Sequence, residues 1–114
     1  MTMASSGDTI FLYRAIGDKE FYSIMQTEKF SCLPGGVGIK YFGKSFKDTL
    51  RFAEKVINRN IVAVVEVEVS RSVVEQIGDF VDVDPFLFRR GTVEIWEADL
   101  DSFNDAIIRI VHKF

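Results

Sequence analysis

The sequence predicts an α+β fold: a single domain in which two early helices pack on a mostly antiparallel β-sheet. Two observations carry this. Apolar residues recur at helical spacing twice in the first half of the chain, and β-branched or alternating runs dominate the second half. A third bounds the size: 114 residues without a repeat, low-complexity tract or internal linker fit one compact unit.

Ile10 to Ala15 is apolar and aromatic and reads as a first strand, broken at Gly17-Asp18. Asp18 is suited to cap a helix over Lys19 to Glu28, with Phe21, Ile24 and Met25 on its apolar face. Phe30 to Lys40 holds Pro34, Gly35, Gly36 and Gly38, a loop long enough to cover a substrate. Tyr41-Phe42 is a brief strand. Ser45-Phe46-Lys47-Asp48 matches a capping box, opening a second helix with Phe46, Leu50, Ala53 and Ile57 on one face and Asn58-Arg59-Asn60 at its end.

Ile61 to Val69 is the strongest strand. Its first half is continuously apolar, and its second half alternates, with Glu66 and Glu68 directed away from Val65, Val67 and Val69. Ser70 to Gly78 suggests a short helix, Phe80 to Val83 a strand, and Asp84-Pro85 a turn. Phe86 to Phe88 and Thr92 to Trp96 read as strands joined at Arg89-Arg90-Gly91. Asp99 to Asn104 is a helical turn, and Ile107 to Phe114 a final strand carrying Ile108, Ile110 and His112 on one face. Residues 1–8 are small and polar and read as a disordered leader without the features of a signal peptide, leaving 9–114 as the folded domain.

Composition narrows the chemistry. A net charge of −3 argues against a protein that grips nucleic acid by broad phosphate neutralisation. The single cysteine, Cys32, excludes an internal disulfide and a cysteine-based zinc cluster, and the single histidine, His112, excludes multi-histidine metal sites. No metal is expected. No apolar run approaches the roughly 20 residues that span a bilayer, so no membrane partner is expected.

Three polar residues stand out. Arg14 ends the first apolar run, where a guanidinium can clamp a phosphate or carboxylate, or simply lie exposed at the strand end. Ser45 stands at the mouth of the second helix, where it caps the helix, attends an anion, or does both. Gly43 beside it permits close approach to the backbone. Glu94, on a late strand, is placed to stabilise a developing positive charge, as in glycosidic bond cleavage. Glu97 competes for that role, but residues three apart on a regular strand face opposite sides, unless a bulge intervenes or the strand ends at Trp96. Glu66 and Glu68 read as solvent-facing, and Cys32 lacks any neighbour in the sequence that would activate it.

The opening Leu12-Tyr13-Arg14-Ala15 and the helix ending Gln26-Thr27-Glu28-Lys29-Phe30 resemble the start of small ADP-ribosyltransferase-like toxin domains. Tyr41-Phe42-Gly43-Lys44-Ser45, Leu50-Arg51-Phe52-Ala53 and Val64-Val65-Glu66-Val67 resemble that group's next helix and central strand, and Glu97-Ala98-Asp99-Leu100-Asp101-Ser102-Phe103-Asn104 its ending. The resemblance implies an ADP-ribosyltransferase-like fold and an arginine–serine–glutamate site at Arg14, Ser45 and Glu94. It implies NAD as substrate, held by Arg14, Tyr13, Tyr41, Phe42 and Gly43 and opened at the nicotinamide–ribose bond. Transfer would be to protein, nucleic acid or water. The group's setting implies a toxin or effector in bacterial competition, delivered as part of a larger secreted protein, acting in the cytoplasm and restrained by an immunity protein. Ser45 stands in Gly-Lys-Ser-Phe where the group has Ser-Thr-Ser. Two other readings stay open: a small ribonuclease toxin using His112 with Arg14 or Tyr41, and a non-enzymatic binding module on the same fold.

Overall fold

The computed structural model describes residues 8–32, 38–55, 61–82 and 86–114. In chain order these form β1 (Thr9–Gly17), α1 (Asp18–Thr27), β2 (Ile39–Gly43), α2 (Phe46–Lys55), β3 (Ile61–Ser70), α3 (Arg71–Ile77), β4 (Asp79–Val81), β5 (Thr92–Trp96), a 3-10 turn (Glu97–Asp99), α4 (Leu100–Asp105) and β6 (Ile107–His112). The six strands make one sheet in the order β4-β5-β2-β1-β3-β6, and every neighbouring pair is antiparallel. The α+β class is therefore as the sequence predicts.

Pleating divides the apolar residues between two faces. Leu12 and Ile16 of β1, Phe42 of β2, Val65, Val67 and Val69 of β3, and Val93 and Ile95 of β5 share the main core. Ile24 of α1, Val74 of α3, and Leu100 and Phe103 of α4 cover it. Phe30, Phe42 and Phe103 meet at its centre, with ring centroids 5.0–6.0 Å apart. Helix α2 lies on the opposite face, where Phe46 meets Tyr13 and Thr49 meets Gly43. The two early helices thus sandwich the sheet, which period and spacing alone did not distinguish from packing on one side.

On β3, Val64, Val65, Val67 and Val69 are buried and Val62 is exposed. Glu66 and Glu68 turn away from the core as the alternation requires, but they are half-buried rather than free in solvent. Glu66 accepts the Tyr13 hydroxyl at 2.7 Å, and Glu68 accepts Thr9 and Arg109 at 2.9 and 3.1 Å. Several local expectations change. Gly17, not Asp18, is the N-cap of α1, and the Asp18 carboxylate takes the Lys19 N–H at 2.8 Å. Met25 is 64% exposed, so the apolar face of α1 is narrower than its spacing suggests. On α2 the buried residues are Asp48, Thr49 and Ala53, and Leu50 is half-buried. Ile57, Asn58-Arg59-Asn60, Val83, Asp84-Pro85 and the Pro34–Gly36 part of the expected lid lie outside the described residues.

Phe86 to Phe88 is a turn, not a strand. The backbone there bonds to α2 side chains and to itself: Leu87 O accepts Arg51 at 3.1 Å, Arg90 N–H donates to Asp48 Oδ2 at 2.8 Å, and Gly91 N–H to Phe88 O at 3.0 Å. Gly91, at φ 91°, completes the turn in a conformation that favours glycine.

Candidate functional site

The sheet has a seam between β1 and β2. These strands are neighbours, yet they share one register pair, Tyr13↔Gly43, where β1 and β3 share nine. Past that pair a side chain takes over the pairing: Arg14 Nη1 donates to the Tyr41 carbonyl at 2.9 Å. A cleft of about 160 Å³ opens at the seam, and Tyr13, Arg14, Tyr41, Phe42 and Gly43 all line it. Ala15 of β1, Thr49 and Phe52 of α2, and Phe88 and Thr92 form the rest of its wall.

Each wall residue is held for a physical reason. Tyr13 donates to Glu66; burial, then the bond to and charge of Glu66, push its pKa up to about 12, so its hydroxyl stays a neutral donor. Phe42 is fully buried, and its ring belongs to the core, with the Arg14 guanidinium 5.9 Å from its centroid. Gly43 has no room for a side chain: a Cβ there would run into Thr49 Oγ1 and lie 3.0 Å from the Phe88 ring. The space above Gly43 is therefore filled by α2 and Phe88. Tyr41 keeps an exposed edge at 39%. Phe88 and Phe52 stack with centroids 5.2 Å apart, which makes the cleft's outer wall aromatic.

Arg14 is fixed by a carboxylate from the following helix, which the strand pattern does not reveal. Glu20 of α1 accepts Arg14 Nε at 2.7 Å and Nη2 at 3.0 Å, a fork-to-fork pair. Lys40 of β2 reaches the same Glu20 oxygen at 3.5 Å. Burial works to raise the Glu20 pKa, but the bonds and charge of Arg14, then Lys40, outweigh it and hold the carboxyl below its ordinary value. Burial and the Arg14 charge lower the Lys40 pKa against the opposing pull of Glu20 and Cys32. The sequence signal for Glu20 is its place six residues after Arg14, across the Gly17 break; the sequence pattern puts Lys40 in the loop, and only strand β2 places it here.

Glu94 and Ser45 stand outside the cleft lining. Glu94 is half-buried on β5, paired in register with Tyr41 on one side and Asp79 on the other. Thr92, two residues earlier on the same face, lines the cleft, so Glu94 lies one step along the sheet from it. Ser45 caps α2, its hydroxyl accepting the Asp48 N–H at 3.3 Å and its carbonyl accepting from Thr49. The Asp48 carboxylate does not close the box; it serves Arg90 and Arg51 instead. The strand ends at Trp96. Glu97 opens the 3-10 turn with its N–H on Gly38 O at 2.7 Å, at the end of the loop before β2.

No family model, curated protein or solved structure matches this chain.

His112 does not join the seam. It lies on edge strand β6, its ring 5.2 Å from Phe21 and its Nε2 2.8 Å from Phe114 O, with β3 between it and β1. Among the described residues no group of three or more His, Cys, Asp or Glu side chains is placed to hold a metal, and no helix is long and apolar enough to cross a membrane.

Proposed function

We propose that this chain is an NAD-consuming ADP-ribosyltransferase or NAD glycohydrolase, with the β1–β2 seam as its site. The observation that carries the reading is the cleft at the seam, where Arg14 reaches the Tyr41 carbonyl and both line the wall, with Glu94 in register with Tyr41 on the next strand. An arginine suits the diphosphate of a dinucleotide. An aromatic-walled cleft suits a flat ring such as nicotinamide. A carboxylate beside it stabilises the positive charge that grows on ribose as the glycosidic bond breaks. The NAD C1′–N bond breaks, nicotinamide leaves with the bonding pair, and an acceptor nucleophile or water attacks C1′ and releases a proton.

In this reading Tyr41, rather than Ser45, occupies the position between arginine and glutamate. A toxin or effector role, with an immunity protein as partner, is part of the proposal and rests on the sequence resemblance. Release of nicotinamide from NAD by the purified protein tests it. Arg14→Ala and Glu94→Gln are each expected to lower turnover by about 10²–10³-fold while the fold is kept. Absence of NAD turnover by folded wild-type protein would sink the reading.

A further inference from the structure

Lys40 is 6% exposed, an unusual depth for a lysine. The charged groups facing it among the described residues are Arg14 from β1 and Glu20 from α1, with the Cys32 thiol as a further neighbour. Two cations and one carboxylate leave an excess positive charge. Arg14 holds the Glu20 carboxylate with two short bonds, so Lys40 is second in line for one oxygen, at a distance beyond the roughly 2.7–2.9 Å of a charge-assisted hydrogen bond. An under-compensated buried cation costs stability. Such a cluster is balanced when an anion arrives.

We propose that Lys40 and Arg14 together bind a diphosphate-type anion, with Glu20 holding the two cations in place before it arrives. Arg14 belongs to both the cleft wall and the cluster, while Glu20 and Lys40 lie behind it outside the cleft lining, so an anion in the cleft meets the remaining Nη hydrogens of Arg14 with the Lys40 charge behind them. A guanidinium has five N–H groups and an ammonium three, so donors outnumber the acceptors these residues supply, and phosphoryl oxygens suit the remainder. The inference deepens the NAD reading and rests on it for the identity of the natural anion. The source is a dinucleotide's diphosphate or a free one.

Inorganic pyrophosphate is the probe, measured by calorimetry with wild type, Lys40→Met and Lys40→Arg, and thermal unfolding is followed in parallel. Lys40→Met is expected to weaken pyrophosphate binding about tenfold while unfolding at the same or a higher temperature, because an apolar side chain relieves the buried charge. Lys40→Arg keeps binding. A structural ion pair gives the reverse pattern, lower stability with unchanged affinity, and overturns the proposal. Should Lys40→Met fail to fold, the ¹³C shift of the Lys40 side chain in wild type decides. Pyrophosphate must move its titration midpoint upward, and an unmoved midpoint overturns the proposal. ADP-ribose binding with the same Lys40 dependence identifies a dinucleotide source. Lys40-dependent pyrophosphate binding without NAD turnover keeps the anion site and removes the NAD reading. NAD turnover with Lys40-independent affinity removes the anion site alone.

Discussion

At the scale of single residues, Glu20 organises the candidate site. Its carboxylate orients Arg14 so that Nη1 meets the Tyr41 carbonyl, and it is the shared counter-ion of Arg14 and Lys40. Because its folded pKa lies below the ordinary 4.5, the stability it contributes is fully present above that value and is lost as the pH falls through the folded value. Glu20→Gln is therefore expected to lose about 1–3 kcal/mol at neutral pH, below the full cost of breaking a buried pair because both partners are only partly buried. The deficit relative to wild type should shrink as the pH falls below 4.5, read by urea unfolding at a series of pH values. A deficit independent of pH would mean that the carboxylate's charge plays no part. Lys40 works in the opposite sense: its charge opposes folding at neutral pH, and the penalty is released as the pH rises through its folded value toward 10.5.

At the scale of elements, helix α2 serves the cleft by covering it. Thr49 fills the space above Gly43, Phe52 stacks on Phe88, and Asp48 and Arg51 tie down the turn that follows β4. Ser45 begins this helix, and its hydroxyl is bonded to the Asp48 N–H. Ser45→Ala is expected to cost about 1 kcal/mol of stability, the worth of an N-cap, and to leave nicotinamide release unchanged. Loss of turnover at unchanged stability would return Ser45 to the site. Helix α4 plays a matching part on the other face. The Asn104 amide donates to Phe30 O and accepts from Phe30 N–H, both at 2.8 Å, anchoring the chain before the Gly-rich loop.

At the scale of the whole molecule, the sheet is two halves, β4-β5-β2 and β1-β3-β6, joined along a sparsely paired seam. Sheet strands are held by regular ladders, and a ladder that stops after one pair is a weak joint. Amides of β1 directed at β2 beyond Tyr13 are expected to exchange with solvent faster than those directed at β3, by NMR hydrogen exchange. Arg14→Lys should widen the difference, because an ammonium lacks the fork that holds Glu20 and the Tyr41 carbonyl together. Uniform protection across β1 would mean that the seam is as tightly closed as the rest of the sheet.

By itself the sequence determined the α+β class and most of the strands and helices. Their signals are local: the valine run of β3, the apolar spacing of α1, the Ser45 cap, and the alternation that turns Glu66 and Glu68 away from the core. It also singled out Arg14 and Gly43, because an arginine ending an apolar run and a glycine before a helix are visible without coordinates; Tyr13 and Tyr41 entered only through the family resemblance. Only the tertiary structure decided which of these meet. Phe86 to Phe88 lost its strand because Arg51 and Asp48 of a distant helix bind the turn backbone. Lys40 became a buried charge because strand order sets it beside α1, and Glu94 fell outside the cleft because register, not spacing, pairs it with Tyr41. Local pattern reports a residue's own element; charge balance and site membership depend on neighbours remote in sequence, which only the fold brings together.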